Sequence, residues 1–147
     1  MYGVMLFLHI LGATIWTGGH IVLATAILPQ VLKKKDVVFL SRFENGYEKV
    51  GLPALVIQIV TGLYLSFHLL PDFSLWFDFS HPVSRLISIK LILLFLTFAL
   101  AIDARLRIIP KLSQDNLNAL AWHIIPVTII SVLFVFVGVS FRTGWLY

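Results

Sequence analysis

Four long apolar stretches constrain this chain more than any other feature. They lie at about residues 4–28, 50–70, 83–102 and 120–141, and most charged side chains fall outside them. Each stretch is close to the ~20 residues that a helix needs to cross the hydrocarbon core of a bilayer. Charged residues make up only 12% of the chain, about half their usual share in a soluble domain. The sequence therefore predicts an all-α integral membrane protein, a single-domain bundle of four transmembrane helices over residues 1–147.

Basic residues predict how these helices are oriented. Eight lysines and arginines lie in the first and third connections: Lys33, Lys34, Lys35, Arg42, Lys49, Arg105, Arg107 and Lys111. The termini and the second connection contribute only Arg85 and Arg142. Because positively charged loops remain in the cytoplasm, we expect the first and third connections there and both termini outside. The net charge of +4 is dispersed, so we expect lipid, and no nucleic acid, as the partner.

Two connections carry features of their own. The second connection, PDFSLWFDFSHP, and the C-terminus hold aromatic residues that predict an interfacial belt: Phe73, Trp76, Phe77, Phe79, Trp145 and Tyr147. In the first connection, Val37, Leu40 and Phe43 recur at helical spacing, which predicts a cytoplasmic extension of the second helix. The first stretch has no basic n-region and no small-residue cleavage site, so we expect it to be a mature helix.

Histidines within or beside the apolar stretches indicate where function lies, because ionisable groups are costly in lipid. His9 and His20 are eleven residues apart, which at about 100° per residue places them on one helix face, ~16 Å from each other. His68 and His81 lie at the outer level with His9, whereas His123 lies at the inner level with His20. The sequence therefore predicts two tiers of imidazole, one toward each side of the membrane.

Paired imidazoles on facing helices are typical axial ligands of haem iron. We predict one or two b-type haems, with His20 and His123 as the inner pair and His9 with His68 as the outer pair; His81 or Lys90 would replace an outer ligand. The small residues Gly12, Ala13, Gly18 and Gly19 would admit a flat macrocycle, with Trp16 between the two sites. Transmembrane electron transfer with redox partner proteins would follow, and an enzyme of this kind would be a membrane oxidoreductase, for which the sequence indicates no catalytic residue.

Copper is the alternative ligand for the same four histidines, His9, His20, His68 and His123. Imidazole binds copper well, but Cu(I) also favours sulfur ligands, and the chain has no cysteine and only two methionines, Met1 and Met5. Lys90, about a third of the way into the third stretch, leaves further alternatives open. It would be a haem ligand, a partner of a haem propionate, a proton-handling group, or a packing lysine satisfied by carbonyls or Gln58.

Three stretches carry a family resemblance: LHILGATIWTGGHIVLATAILP, RFENGYEKVGLPALVIQIVTGLYL and ISIKLILLFLTFALAIDARLRIIPKL. They resemble the copper resistance D (CopD) family of bacterial inner-membrane proteins. That resemblance implies copper handling, often uptake into the cytoplasm, and a multi-pass location in the inner membrane, where the termini that the basic residues place outside would be periplasmic. The chain also resembles the HemJ-type protoporphyrinogen oxidases, four-helix proteins that bind haem b, and this second resemblance implies working roles for His9 and Lys90. Both leave the existence of a homo-oligomer open.

Overall fold

The structure, a computed structural model, describes all residues 1–147 and contains helices but no strands. The helices are α1 (Tyr2–Val22), α2 (Leu28–Lys34), α3 (Val37–Leu69), α4 (Pro82–Asp103) and α5 (Leu117–Thr143). A π-helical turn at Leu23–Ile27 joins α1 and α2 into one rod, and a second at Ala104–Ile108 extends α4. Four rods are thus long and apolar enough to cross a membrane, which confirms the prediction of an all-α bundle of four transmembrane helices.

Local chemistry sets where the helices begin and end. Lys35 takes a left-handed conformation with φ 53°, and Asp36 accepts a hydrogen bond from the Phe39 N–H at 2.9 Å, so α2 stops and α3 starts within two residues. The predicted extension of the second helix is therefore the first part of α3. Pro82 occupies the first turn of α4, where its missing N–H is not needed. Gly144, with φ 71°, ends α5.

The helices pack in the order α3, α1, α5, α4. The most extensive contact is between α1 and α3, followed by α4 with α5 and α1 with α5. The first and third connections meet at one end of the bundle, where an ion pair of 2.6 Å between Glu48 and Arg105 also joins α3 to the extension of α4. We call this the basic end, because it carries the eight lysines and arginines of those connections.

Apolar side chains form the core in separate layers. At the basic end, the Leu23–Ile27 turn, α2, α3 and α5 bury a cluster that includes Leu28, Val31 and Leu40. Near the middle, Trp16, Leu55 and Val127 pack together with the partly buried Ile59 and Leu100. All four rods contribute to this middle cluster, which we call the Trp16 layer. It divides the polar interior of the bundle into two parts.

The second connection folds onto the end of the bundle. Its 3₁₀ turn, Phe73–Phe77, buries Trp76 to 1% exposure, and the indole N–H donates to the Leu70 carbonyl at 2.9 Å. Hydroxyl groups of Ser84 and Ser88 donate to carbonyls of this turn. The prediction that Trp76 belongs to an interfacial belt was wrong, because the loop turns its ring inward, where it finds both apolar contacts and an acceptor. The other aromatic residues of the predicted belt are exposed.

Candidate functional site

The contact between α1 and α3 depends on glycines that make room for polar rings. A Cβ atom at Gly19 would overlap the Tyr47 ring, and one at Gly62 would lie 3.0 Å from Cε1 of His9. Gly12 approaches α3 equally closely, since a Cβ there would lie 2.9 Å from the Ala54 carbonyl. The space that the sequence suggested for a macrocycle beside Gly12 and Gly19 is therefore filled by α3. The contact between α1 and α3 instead holds the side chains of His9 and Tyr47.

His9 is held in one tautomer by its neighbours. Its Nδ1 lies 3.0 Å from the Thr61 hydroxyl oxygen, and that hydroxyl lies 2.6 Å from the Ile57 carbonyl. Because a hydroxyl has one proton, which Thr61 donates to Ile57, the His9 Nδ1 must donate to Thr61. The other ring nitrogen, Nε2, then carries a lone pair. His9 is thus oriented as a neutral ligand or acceptor between α1 and α3.

Two further polar groups in this half of the bundle lack hydrogen-bond partners. The side-chain oxygen of Gln58 is buried and accepts no hydrogen bond; it lies one turn before Thr61 on α3, with its Cβ against Gly12. Lys90 forms no ion pair or hydrogen bond, and its ammonium lies 5.4 Å from the centroid of the Phe141 ring. A buried acceptor without a donor, and a half-buried cation whose one recorded partner is an aromatic ring, are each costly. We call His9, Gln58, Thr61 and Lys90 the outer polar group.

His20 occupies the other side of the Trp16 layer. It is only 9% exposed, and its Nδ1 lies 2.9 Å from the Trp16 carbonyl, which can only accept. The same carbonyl accepts from the Tyr47 hydroxyl at 2.9 Å, and the Trp16 ring lies against the imidazole with centroids 4.3 Å apart. His20 therefore has the same tautomer as His9, with a lone pair on Nε2. Both rings contact α3, as two residues on one face of α1 should.

His123 is engaged elsewhere. Its Nε2 lies 2.7 Å from Asp103 of α4, and its Nδ1 lies 2.9 Å from the Ala119 carbonyl. Both ring nitrogens are therefore occupied by oxygen atoms of α4 and α5. Arg107 binds the same carboxylate at 2.9 Å. The structure does not bring His123 together with His20, and coordination of a metal by His123 would first require its hydrogen bond with Asp103 or Ala119 to break.

The two remaining histidines lie at the end of the bundle opposite the basic end. The His68 ring is stacked with Tyr64 at 6.2 Å between centroids and is tilted by 38° to the Tyr2 ring at 4.9 Å. The His81 side chain is 71% exposed and lies 3.9 Å from the carboxylate of Asp78. Hydrogen bonds from Ser80 hold the pKa of Asp78 below its ordinary value. Neither histidine contacts His9, and no three His, Cys, Asp or Glu side chains converge on one point.

Comparison with known proteins identifies the family. A family model described as "Copper resistance protein D" (CopD) matches residues 41–141, about two thirds of the chain. The chain belongs to the CopD family. No curated protein and no solved structure matches it. Together with four apolar rods, membership of the CopD family makes this a multi-pass membrane protein related to copper resistance. The resemblance to HemJ-type oxidases remains a prediction.

The CopD match covers α3, α4 and α5 but not α1. Gln58, Thr61, Lys90 and His123 therefore lie within the matched region, whereas His9 and His20 precede it. The donors that face each other across α1 and α3 fit copper in part: imidazole nitrogen and amide oxygen are both available, and the partly buried Met5 lies one helical turn before His9. Fewer than three histidines meet at either level, so copper bound there would need additional ligands such as water.

Sequence reasoning missed three residues that shape these sites, namely Thr61, Tyr47 and Asp103. Thr61 lies three residues after Gln58, so the two share a face of α3, and this spacing could have indicated a polar stripe. Tyr47 lies in the stretch predicted as an extension of the second helix, opposite the inner half of α1. Asp103 lies at the end of an apolar stretch, where a carboxylate is ordinary, and nothing in its spacing points to His123.

Proposed function

We propose that this CopD family member binds copper ions within its helix bundle and passes them across the membrane, with His9 and His20 as the principal ligands. One observation carries the proposal: Nδ1 of His9 lies 3.0 Å from the Thr61 hydroxyl and Nδ1 of His20 lies 2.9 Å from the Trp16 carbonyl, so each ring is anchored through Nδ1 while Nε2 has no protein partner. A hydrogen bond on the opposite nitrogen orients a ligand ring and raises its basicity. Family membership supports copper as the ion.

The outer polar group supplies more than one candidate ligand atom for copper. The unpartnered oxygen of Gln58 is an uncharged ligand on the same part of α3 that anchors His9. Lys90 opposes any cation held nearby, because like charges repel across a medium of low dielectric. A copper ion bound at His9 is therefore held weakly when Lys90 is charged, which favours release over storage. Transfer toward His20 then requires the Trp16 layer to move, since the indole packs against the His20 ring.

Haem b is the second candidate, and the same observation favours it. An imidazole with an anchored Nδ1 and a free Nε2 is also the form that ligates haem iron. Under this proposal His9 and His68 would ligate the outer haem, His20 and His123 the inner one, and electrons would cross the membrane between redox partners. It ranks second because α3 fills the space beside Gly12 and Gly19. The HemJ-type oxidase reaction, with His9 and Lys90, is a further form of this candidate.

The proposal also covers the orientation of the bundle and the membrane in which it lies. The first and third connections lie together at the basic end, where Lys34 and Lys35 share a surface cavity with residues of the third connection. Positively charged loops remain on the cytoplasmic side. We therefore place the basic end in the cytoplasm, both termini in the periplasm and the bundle in a bacterial inner membrane.

Metal analysis and optical spectroscopy of the purified protein test this function. We expect the purified protein to retain copper and to show no Soret band. The His9→Ala and His20→Ala variants should each lose copper affinity by tenfold or more. His81→Ala is the matched control, because His81 is exposed and contacts only Asp78; its affinity should equal that of the unchanged protein.

Different outcomes identify which candidate fails. A Soret band with a positive pyridine hemochrome assay would replace copper with haem, and loss of the inner haem in a His20→Ala/His123→Ala variant would support the ligand pair given above. Conversion of protoporphyrinogen that disappears in His9→Ala or Lys90→Ala would establish the oxidase. Copper binding that survives loss of both His9 and His20 would refute the proposed ligands.

A further inference from the structure

Two adjoining surface cavities lie at the basic end. The first, of about 440 Å³, has Lys34 and Lys35 in its wall, and the second, of about 560 Å³, has Arg42 and Lys49. Val37 and Val38, at the start of α3, line both. The surface therefore presents two pairs of cations, with a short apolar ridge between them.

These four cations are free of protein partners. None of them takes part in an ion pair, whereas Arg105 pairs with Glu48 and Arg107 with Asp103 at the same end of the bundle. Asp36 is the one acidic residue in either cavity wall, and its carboxylate accepts from the Phe39 N–H, where it caps α3. Unpaired positive charge is thus concentrated in the two cavities, where the Asp36 carboxylate offsets one of the four cations.

The second cavity is shaped by small and polar residues of one helix face. Gly46 leaves an opening, because a Cβ there would meet no atom within 4 Å, and Ser41 and Asn45 offer hydrogen-bonding groups beside it. The ridge is apolar and accessible, since Val38 is 69% exposed. A ligand that fits this surface carries anionic oxygens on either side of an uncharged, partly apolar connection.

We propose that the two cavities bind the headgroup of cardiolipin, one phosphate in each, with the linking glycerol over Val37 and Val38. Membrane position favours a lipid over a soluble anion, because the cavities lie at the ends of membrane-spanning rods, where headgroups lie. Basic pockets at helix ends are typical sites for anionic headgroups. Two separate pairs of cations favour a lipid with two phosphates over one with a single phosphate.

The test is lipid binding to the purified full-length chain in detergent, measured by native mass spectrometry with cardiolipin and with phosphatidylglycerol. The variants are Lys34→Gln/Lys35→Gln and Arg42→Gln/Lys49→Gln, which remove one pair each. The control is Lys33→Gln/Lys111→Gln, which removes two charges from the same end but from neither cavity wall. Circular dichroism establishes that all variants are helical.

We expect each cavity variant to weaken cardiolipin binding about 30-fold, as ~1 kcal/mol per cation implies, and the control to weaken it less than threefold. Each cavity variant should also lose the preference for cardiolipin over phosphatidylglycerol. Equal weakening in the control would overturn the proposal, because diffuse charge would then be sufficient. Equal affinity for the two lipids at the same phosphate concentration would overturn the two-phosphate site. Displacement of cardiolipin by equimolar inorganic pyrophosphate would overturn the choice of a lipid.

Discussion

Replacement of Gly19 by alanine is the sharpest test of the contact between α1 and α3. The new Cβ would overlap the Tyr47 ring, so either the ring or the helix must move. Overpacking of this kind costs about 1–3 kcal/mol. The displaced Tyr47 hydroxyl would also lose its hydrogen bond to the Trp16 carbonyl, at about 1 kcal/mol. We therefore expect the free energy of unfolding to fall by about 2–4 kcal/mol.

The adjacent residue is the matched control. A Cβ at Gly18 meets no atom within 4 Å, so Gly18→Ala should leave stability unchanged or raise it by up to ~1 kcal/mol through helix propensity. Unfolding in mixed micelles by added sodium dodecyl sulfate, followed by circular dichroism, measures both variants. In a Tyr47→Ala background the Gly19→Ala change should cost less than ~1 kcal/mol, because the clashing ring is gone. Equal effects at Gly18 and Gly19, or additive effects of Gly19→Ala and Tyr47→Ala, would refute the reasoning.

Four other predictions follow from single contacts. Trp76→Ala should lower the free energy of unfolding by about 3–5 kcal/mol and expose the second connection to proteolysis, whereas Phe77→Ala, at an exposed ring, should do neither. Thr61→Val should weaken copper binding about 10–100-fold by freeing the His9 ring, measured by competitive metal titration; unchanged affinity would exclude an orienting role. Asp103→Asn should remove the charge that binds His123 and lower the thermal midpoint, with Asp115→Asn as the control. Hydrogen bonds lower the pKa of Asp72 and Asp78. The stability that the two carboxylates contribute is therefore present above the ordinary pKa of 3.8 and is lost as the pH falls through the lowered pKa values. Hydrogen exchange of the second connection should rise only in that acidic range.

Hydropathy predicted the membrane spans because lipid imposes one strong requirement on every spanning segment. A rod such as α5 must be apolar over its whole length, whichever neighbour it meets. Because the whole helix is apolar, hydropathy does not indicate which side chains pack inside the bundle: the exposed Leu133 and the buried Val127 are equally hydrophobic. Which helices touch therefore had to come from the structure. The burial of Trp76 was missed for the same reason, because an aromatic ring beside the membrane suits both an interface and an apolar pocket.

The candidate site was predictable where it depends on a single helix. Spacing alone placed His9 and His20 on one face of α1, and in the structure both rings contact α3. The pairing of His20 with His123 depends on the rotation of two helices, which periodicity does not determine. In the structure His123 instead meets Asp103, twenty residues earlier in the chain and on the adjacent helix. The orphaned oxygen of Gln58 likewise depends on how closely Gly12 approaches α3.

The Trp16 layer has a consequence for a cell that stores energy as an ion gradient. Protons cross proteins along unbroken files of water and polar groups, and Trp16, Leu55 and Val127 interrupt such a file between His9 and His20. Moving one charge across 100 mV is worth about 2.3 kcal/mol, so even a slow leak through many copies would drain the membrane. In this conformation the Trp16 layer separates the two polar parts of the bundle, so under the proposed function copper would cross only after the indole moves.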